Sequence, residues 1–372
     1  MKLNSLIRRL AALAAALALS PAPALAALGM TELPPLGDDG PVTVFYPTAT
    51  EEAPLVIAGG RLRLQLAQDA PPQPGNGRLV VVSHGSGGSP WVHADLARAL
   101  VAADYTVAVP RHAGDNHREH TEPGPVSWAR RPAEVSRAID AVAADAVAAD
   151  AVAADAVAAD ARLAASLRLD RVGVYGMSAG GHTALTLAGG RWSPALFARH
   201  CQRHLAEDFY ACVGLITQLD GGWLDGLKQW LARRVIDHRF GGDTKPRGHL
   251  DPRIAAVVAA VPYAANFDMA TLATPRVPLA LATAEGDIWL RPRFHSSRVL
   301  AVCGRCEQWS APPAAGHGAY LSPLPTGFTG LEAKLLNDPP GYDRAAATAL
   351  DLRTVDFFDR HLRAGRAVPA VR

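Results

Sequence analysis

A serine stands among glycines at Gly176-Met177-Ser178-Ala179-Gly180-Gly181, directly after the apolar run Arg171-Val172-Gly173-Val174-Tyr175 and before an Ala- and Leu-rich stretch ending at Leu187. Gly-x-Ser-x-Gly between a strand and a helix describes a sharp turn. Residues without side chains let the backbone close and lift the serine hydroxyl above the sheet edge. A hydroxyl so placed is a candidate nucleophile, and it needs a base to take its proton and an acid to orient that base.

In turns of this kind the partners follow in the chain order Ser, Asp or Glu, His, from loops at the C-terminal ends of later strands. The expected strand Val277 to Thr283 ends in Ala284-Glu285-Gly286-Asp287, which makes Asp287 the candidate acid. Asp268, after the expected strand Ala255 to Val261, is its rival, and Glu285 reads as a solvated loop residue. His317, in Gly316-His317-Gly318 after a final strand near Glu307 to Trp309, is the candidate base; most of the other histidines precede the elbow or lie in the 190–250 segment.

An acyl-transfer intermediate carries an oxyanion that needs two fixed N–H donors. Ala179, following the nucleophile at the start of its helix, supplies one candidate donor. Ser86 supplies the other, in the loop Ser83-His84-Gly85-Ser86-Gly87-Gly88, where glycines let the backbone approach a ligand. His84 is read as ordering that loop through hydrogen bonds. The loop lacks a phosphate-binding lysine and the Gly-x-Gly-x-x-Gly spacing, which argues against a nucleotide. His112, Asp115, His117, Glu119 and His120 offer metal-binding residue types, but they have no helical register to converge them and read as a solvated loop. No metal or organic cofactor is implied.

The elements that must position these residues follow from the apolar pattern. Short continuous apolar runs at Leu79 to Val82, Tyr105 to Val109 and Arg171 to Tyr175 alternate with helical stretches such as Trp91 to Ala103, which predicts a parallel sheet covered on both faces. Val42 to Tyr46 and Arg61 to Ala67 read as edge strands of an N-terminal hairpin. Between Gly189 and Leu250 the rhythm breaks; Trp192, Phe197, Phe209, Tyr210, Trp223 and Trp230 at roughly helical spacing suggest the core of a helical cap that shapes a pocket, together with Trp91 and Trp289. Four tandem copies of Ala-Val-Ala-Ala-Asp, Ala141 to Asp160, are neither a heptad nor a solenoid repeat and read as a helix extension of about 22 Å beyond a single copy.

The 372 residues are 49% hydrophobic and 19% charged, with a formal net charge of +2, which excludes the basic footprint of a nucleic-acid binder and the composition of a disordered chain. Lys2, Arg8 and Arg9 precede the apolar run Leu10 to Leu19, and Ala24-Leu25-Ala26 offers a cleavage site. Residues 1–26 therefore read as an export signal, too short in its apolar core to remain as a membrane span, and 27–372 as the mature domain, periplasmic or secreted. In an oxidising compartment the four cysteines are expected to pair locally, Cys201 with Cys212 and Cys303 with Cys306, in preference to a zinc site.

The segments Ser83 to Gly88, Arg131-Pro132-Ala133-Glu134-Val135, Gly176 to His182 and Gly316 to Gly318 occur in the order seen in α/β-hydrolases. From Val42 to Leu362 the chain most resembles exported bacterial proteins called predicted dienelactone hydrolases, which share their pattern with platelet-activating-factor acetylhydrolases. The resemblance implies an α/β-hydrolase fold with an eight-stranded sheet, a Ser178, Asp287, His317 triad and ester hydrolysis through an acyl-enzyme. Dienelactone hydrolases proper use a cysteine where this chain has Ser178, and the acetylhydrolases place their acid after the earlier strand, where this chain has Pro262-Tyr263, so neither substrate transfers. The expected activity is that of a serine hydrolase on a small-molecule or lipid ester, with an amidase or peptidase, or a non-catalytic binding protein of the same fold, as the alternatives.

Overall fold

The computed structural model describes residues 26–152, 167–310, 312 and 314–363, the side chains of 145–152 excepted. The expected export signal, but for its last residue, and the repeat copies beyond Val152 lie outside the described residues.

Twelve strands are present among the described residues: β1 (Ala27–Leu33), β2 (Val42–Thr48), β3 (Ala53–Ile57), β4 (Leu62–Gln68), β5 (Leu79–Ser83), β6 (Thr106–Pro110), β7 (Val172–Met177), β8 (Arg191–Trp192), β9 (Ile254–Ala260), β10 (Phe267–Asp268), β11 (Leu279–Thr283) and β12 (Glu307–Ser310). Ten of them form one sheet in the order β12-β11-β9-β7-β5-β6-β2-β1-β4-β3, and β8 pairs with β10 apart from it. The run from β12 to β6 is parallel. Apart from β12 at the edge, these strands alternate their side chains between two cores: Val81, Ala108, Val174, Val257 and Leu281 enter one, and Val80, Val82, Val107, Tyr175, Val258 and Ala282 the other. Burial on both faces is why these strands read as unbroken apolar runs.

Two helix layers cover the faces. α2 (Pro125–Val152) and α3 (Ala179–Leu187) bring Val135, Ile139, Val142 and Leu185 to the first core. α1 (Ala94–Ala102) and the C-terminal α9 (Ala345–Leu362) bring Leu96, Leu100, Phe357 and Phe358 to the second. At Gly173 an added Cβ would lie 2.7 Å from the Phe358 ring, so side chains of α9 pack directly on the backbone of β7. The insertion after α3 carries α4 (Pro194–His204), α5 (Phe209–Val213) and α6 (Asp225–Ile236), closed by a π turn at Asp237–Gly241. α7 (Ser296–Val302) and α8 (Gly330–Leu336) complete the helices of the described residues.

Two expectations about the sheet need correction. It has ten strands, not eight, because β1 to β4 extend it beyond β6. Val42 to Tyr46 is no edge strand: β2 is buried throughout and pairs with β6 on one side and β1 on the other, and β1 separates it from β4. Both local disulfides are present, Cys201–Cys212 and Cys303–Cys306.

Between α1 and α9 an exposed acid, Asp95, and a part-buried one, Asp351, share a single hydroxyl. Ser322 Oγ is 3.1 Å from a carboxylate oxygen of Asp95 and 3.1 Å from one of Asp351. One hydroxyl proton cannot serve two carboxylates at once; the exposed Asp95 can turn to water, whereas the part-buried Asp351 has less recourse to it. Burial raises the Asp351 carboxyl to about 7; Ser322 opposes the shift, and the Asp95 charge adds to it. A carboxyl raised in the folded state favours folding while protonated, and that contribution is lost as pH climbs from about 4 to about 7. Asp351→Asn is therefore expected to be more stable than the parent at pH 8, by roughly 2–4 kcal/mol, with the gap closing at pH 4. Urea denaturation at the two pH values checks this; an equal gap at both contradicts it.

Candidate active site

β7 ends in Met177, and the next residue, Ser178, takes φ 60° and ψ −115° before α3 begins at Ala179. That conformation is strained for a residue with a Cβ, and the surroundings hold it. Ser178 N–H donates to Ala260 O at 3.0 Å, while Ser178 O accepts from His182 N–H at 3.0 Å and from Tyr263 N–H at 3.2 Å. The flanking glycines are required by space. A Cβ at Gly176 would collide with the Gly180 carbonyl, one at Gly180 with the Ser83 carbonyl, and one at Gly181 would lie 2.7 Å from Pro262 Cα.

The loops after β11 and β12 bring the other two candidates together. Asp287 Oδ2 accepts from His317 Nδ1 at 2.6 Å, and Asp287 Oδ1 accepts from the N–H groups of Trp289 and Leu290, each at 2.8 Å. With its carboxylate held at both oxygens, Asp287 fixes the tautomer that carries the proton on Nδ1 and leaves Nε2 as an acceptor. Both side chains are almost wholly buried. The two loops are pinned to each other by Gly286 N–H, which donates to Ala315 O at 3.0 Å. Trp289 lies 5.1 Å, ring to ring, from His317. Ser178 Oγ makes no hydrogen bond to His317 or to any other of the described residues. Asp268 is exposed, caps the short turn Met269–Leu272 through Ala270 N–H, and does not meet His317.

Beside the turn after β7, an added Cβ on Gly85 would lie 3.4 Å from Ser178 Cβ, so the loop after β5 runs against Ser178. The N–H groups of Ser86 and Ala179 have no acceptor among the described residues. Below this loop sits a cluster that the sequence reading placed in solvent. Asp115 and His112 are fully buried, as is Arg131. Arg131 donates from Nη1 to His84 O at 2.5 Å, from Nη2 to Asp115 Oδ2 at 2.8 Å and to Asp115 O at 3.1 Å, and from Nε to Ser127 Oγ at 2.8 Å. Asp115 Oδ1 in turn accepts from Ser86 Oγ at 2.6 Å and Gly87 N–H at 2.9 Å. Although burial opposes ionisation, the Arg131 charge and these donors hold the Asp115 carboxyl far below its ordinary range.

A second chain runs alongside: Ser83 Oγ to His112 Nε2 at 2.7 Å, and His112 Nδ1 to Glu134 Oε2 at 2.5 Å. Burial drives His112 and His84 well below the ordinary imidazole range and lifts the Glu134 carboxyl. Among the described residues no cluster has the geometry for a metal ion. Asp115 and Arg131 were missed as site residues because a loop carboxylate has no visible partner until the fold closes. The available signal was Arg131 and Glu134, three apart on the sheet-facing side of α2.

The cap is tied to the elbow through Asp208. Its Oδ2 accepts from His200 Nε2 at 2.7 Å and His295 Nε2 at 3.0 Å, while His295 Nδ1 accepts from Ala264 N–H at 3.0 Å, next to Tyr263.

No family model and no curated protein matches the chain. Among solved structures it is similar to a ferulic acid esterase from Streptomyces cinnamoneus, 17% identical, with a TM-score of 0.52 over 94% of each chain. The chain has the α/β-hydrolase fold. The strand-to-helix turn after β7 and the loops after β5, β11 and β12 lie together at the C-terminal edge of the sheet. At this identity the likeness carries the fold and nothing further.

The buried ion pair under the elbow gives a stability test. Arg131→Met strands the Asp115 carboxylate and is expected to cost about 3–5 kcal/mol of unfolding free energy. Adding Asp115→Asn removes the stranded charge, so the double variant should be more stable than Arg131→Met alone. Costs that simply add would deny the pair its role.

Proposed function

We propose that the chain is a serine hydrolase that cleaves carboxylic esters through an acyl-enzyme. The observation that carries this reading is the buried Asp287–His317 bond at 2.6 Å, formed across two loops that close on the same sheet edge as the strained Ser178. Ser178 Oγ attacks the acyl carbonyl while His317 Nε2 takes its proton. The N–H groups of Ser86 and Ala179 hold the oxyanion, and Asp287 steadies the imidazolium. Collapse of the tetrahedral intermediate expels the alcohol with the proton from His317. Water, activated by the same imidazole, then releases the acid and restores Ser178.

An ester is favoured over an amide by the similar solved structure, an esterase, while the amidase reading uses the same residues. The aromatic wall that Trp289 offers beside His317 suits an apolar group of a small-molecule or lipid ester. The two disulfides support a periplasmic or secreted site of action, as the N-terminal sequence suggests.

Hydrolysis of p-nitrophenyl esters from acetate to palmitate tests the reading. The parent should turn over at least part of the series, and Ser178→Ala and His317→Ala should each lower kcat by roughly 10³-fold or more at unchanged fold. Asp115→Asn should lower kcat by about 10- to 100-fold with little change in KM, because it loosens the oxyanion loop and touches no substrate. Faster turnover of matched anilides than of esters would move the assignment to an amidase, and full activity in Ser178→Ala would end it.

A further inference from the structure

α6 departs from the burial logic of the rest of the chain. Its apolar residues Leu227, Trp230, Leu231 and Val235 are spaced by three, one and four, which at about 100° per residue puts them on one stripe. Such a stripe ordinarily faces a core. Here it faces outwards: the four side chains are 53–58% exposed, while Ile236, on the opposite side of the helix, is the residue that α6 buries. The turn before the helix adds Ile216 at 88% and Trp223 at 90% exposure, with Leu215 and Leu224 beside them. The aromatics of the insertion thus divide: Trp192, Phe197 and Phe209 form its core, as the sequence suggests, while Trp223 and Trp230 do not.

The charges around this face are lopsided. Lys228 is taken up by Asp220 at 3.2 Å and Asp225 at 3.0 Å. Arg233, Arg234, Arg239 and Lys245 make no ion pair among the described residues, and Asp237 is the acid near them in sequence that is likewise free of one. Uncompensated positive charge therefore lies at the C-terminal end of an outward apolar helix that carries tryptophan.

We propose that this face of the cap docks on an anionic lipid surface. α6 lies in the plane of the interface, with Trp223 and Trp230 at the depth of the headgroups and Leu227, Leu231 and Val235 against the acyl boundary. Arg233, Arg234 and Arg239 meet the lipid phosphates. A second copy of the chain fits this face less well. A twelve-residue helix is about 18 Å long and about 10 Å wide, so its outer face offers roughly 200 Å² against the ~800 Å² per partner of a stable dimer. A membrane interface asks for no complementary shape. The docking does not depend on the chemistry at Ser178, and its test reads binding, with hydrolysis of soluble p-nitrophenyl acetate as a separate readout of the esterase proposal.

The experiment is co-sedimentation of the purified protein with vesicles of phosphatidylcholine alone and of equimolar phosphatidylcholine and phosphatidylglycerol. The protein should bind the phosphatidylglycerol vesicles at least about tenfold more tightly, with the preference screened away in high salt. A Leu227→Ser, Trp230→Ser, Leu231→Ser variant should lose binding by about tenfold or more, since it removes the apolar stripe. Arg233→Gln with Arg234→Gln should lose the phosphatidylglycerol preference, and carries the test should the triple variant fail to fold. Absence of binding to both vesicles, equal binding to both, or undiminished binding by the variants overturns the proposal. So does a dimer in sedimentation velocity that the triple variant abolishes, which would assign the face to a second copy.

Discussion

The positive φ of Ser178 is possible because the chain around it has been stripped of side chains and supplied with acceptors. Gly176, Gly180 and Gly181 leave room where Cβ atoms would strike backbone, and Ala260 O receives the Ser178 N–H in line with the β7–β9 ladder. From that one backbone conformation the rest of the site follows in order. The turn starts α3 at Ala179, and the first N–H groups of the helix are left without intrahelical acceptors. The same turn sets Gly85 against Ser178 Cβ, and the loops after β11 and β12 bring Asp287 and His317 into contact with each other.

A loop that must present a bare N–H to a substrate cannot be stabilised by using that N–H. The structure solves this from below. Arg131, fully buried, spreads its guanidinium over three main-chain carbonyls, one carboxylate and a hydroxyl, and Asp115 passes the restraint to Ser86 Oγ and Gly87 N–H. Buried charges are costly unless every lone pair and proton finds a partner, and here many of the partners come from the loop after β5 itself. Ser83, His112 and Glu134 add a hydrogen-bonded chain along the same strand ends. That chain has the composition of a Ser-His-acid triad, but it is sealed from substrate, so its work is to hold β5, β6 and α2 in register.

Legibility in the sequence tracked how local each signal was. The elbow, Asp287 and His317 were readable because a strand, a glycine-flanked turn and a fixed chain order are sequence properties, and the structure places Asp287 and His317 in contact. The parallel core strands were readable because two-sided burial writes continuous apolar runs. The extension of the sheet to ten strands was not, since which strand β2 pairs with depends on β6 and β1 from distant parts of the chain. Asp115 looked solvated because its partner lies sixteen residues on, inside a helix. Trp223 and Trp230 looked like core because helical spacing of apolar residues states that a face exists and not which way it points.

The central claim is that Ser178 is a nucleophile activated by His317. Reaction with a fluorophosphonate, followed by peptide mapping by mass spectrometry, tests it without a known substrate. A single adduct on Ser178, forming at least about a hundredfold more slowly in His317→Ala, is the expected result. An unmodified Ser178 in folded protein, or labelling indifferent to His317, would contradict it.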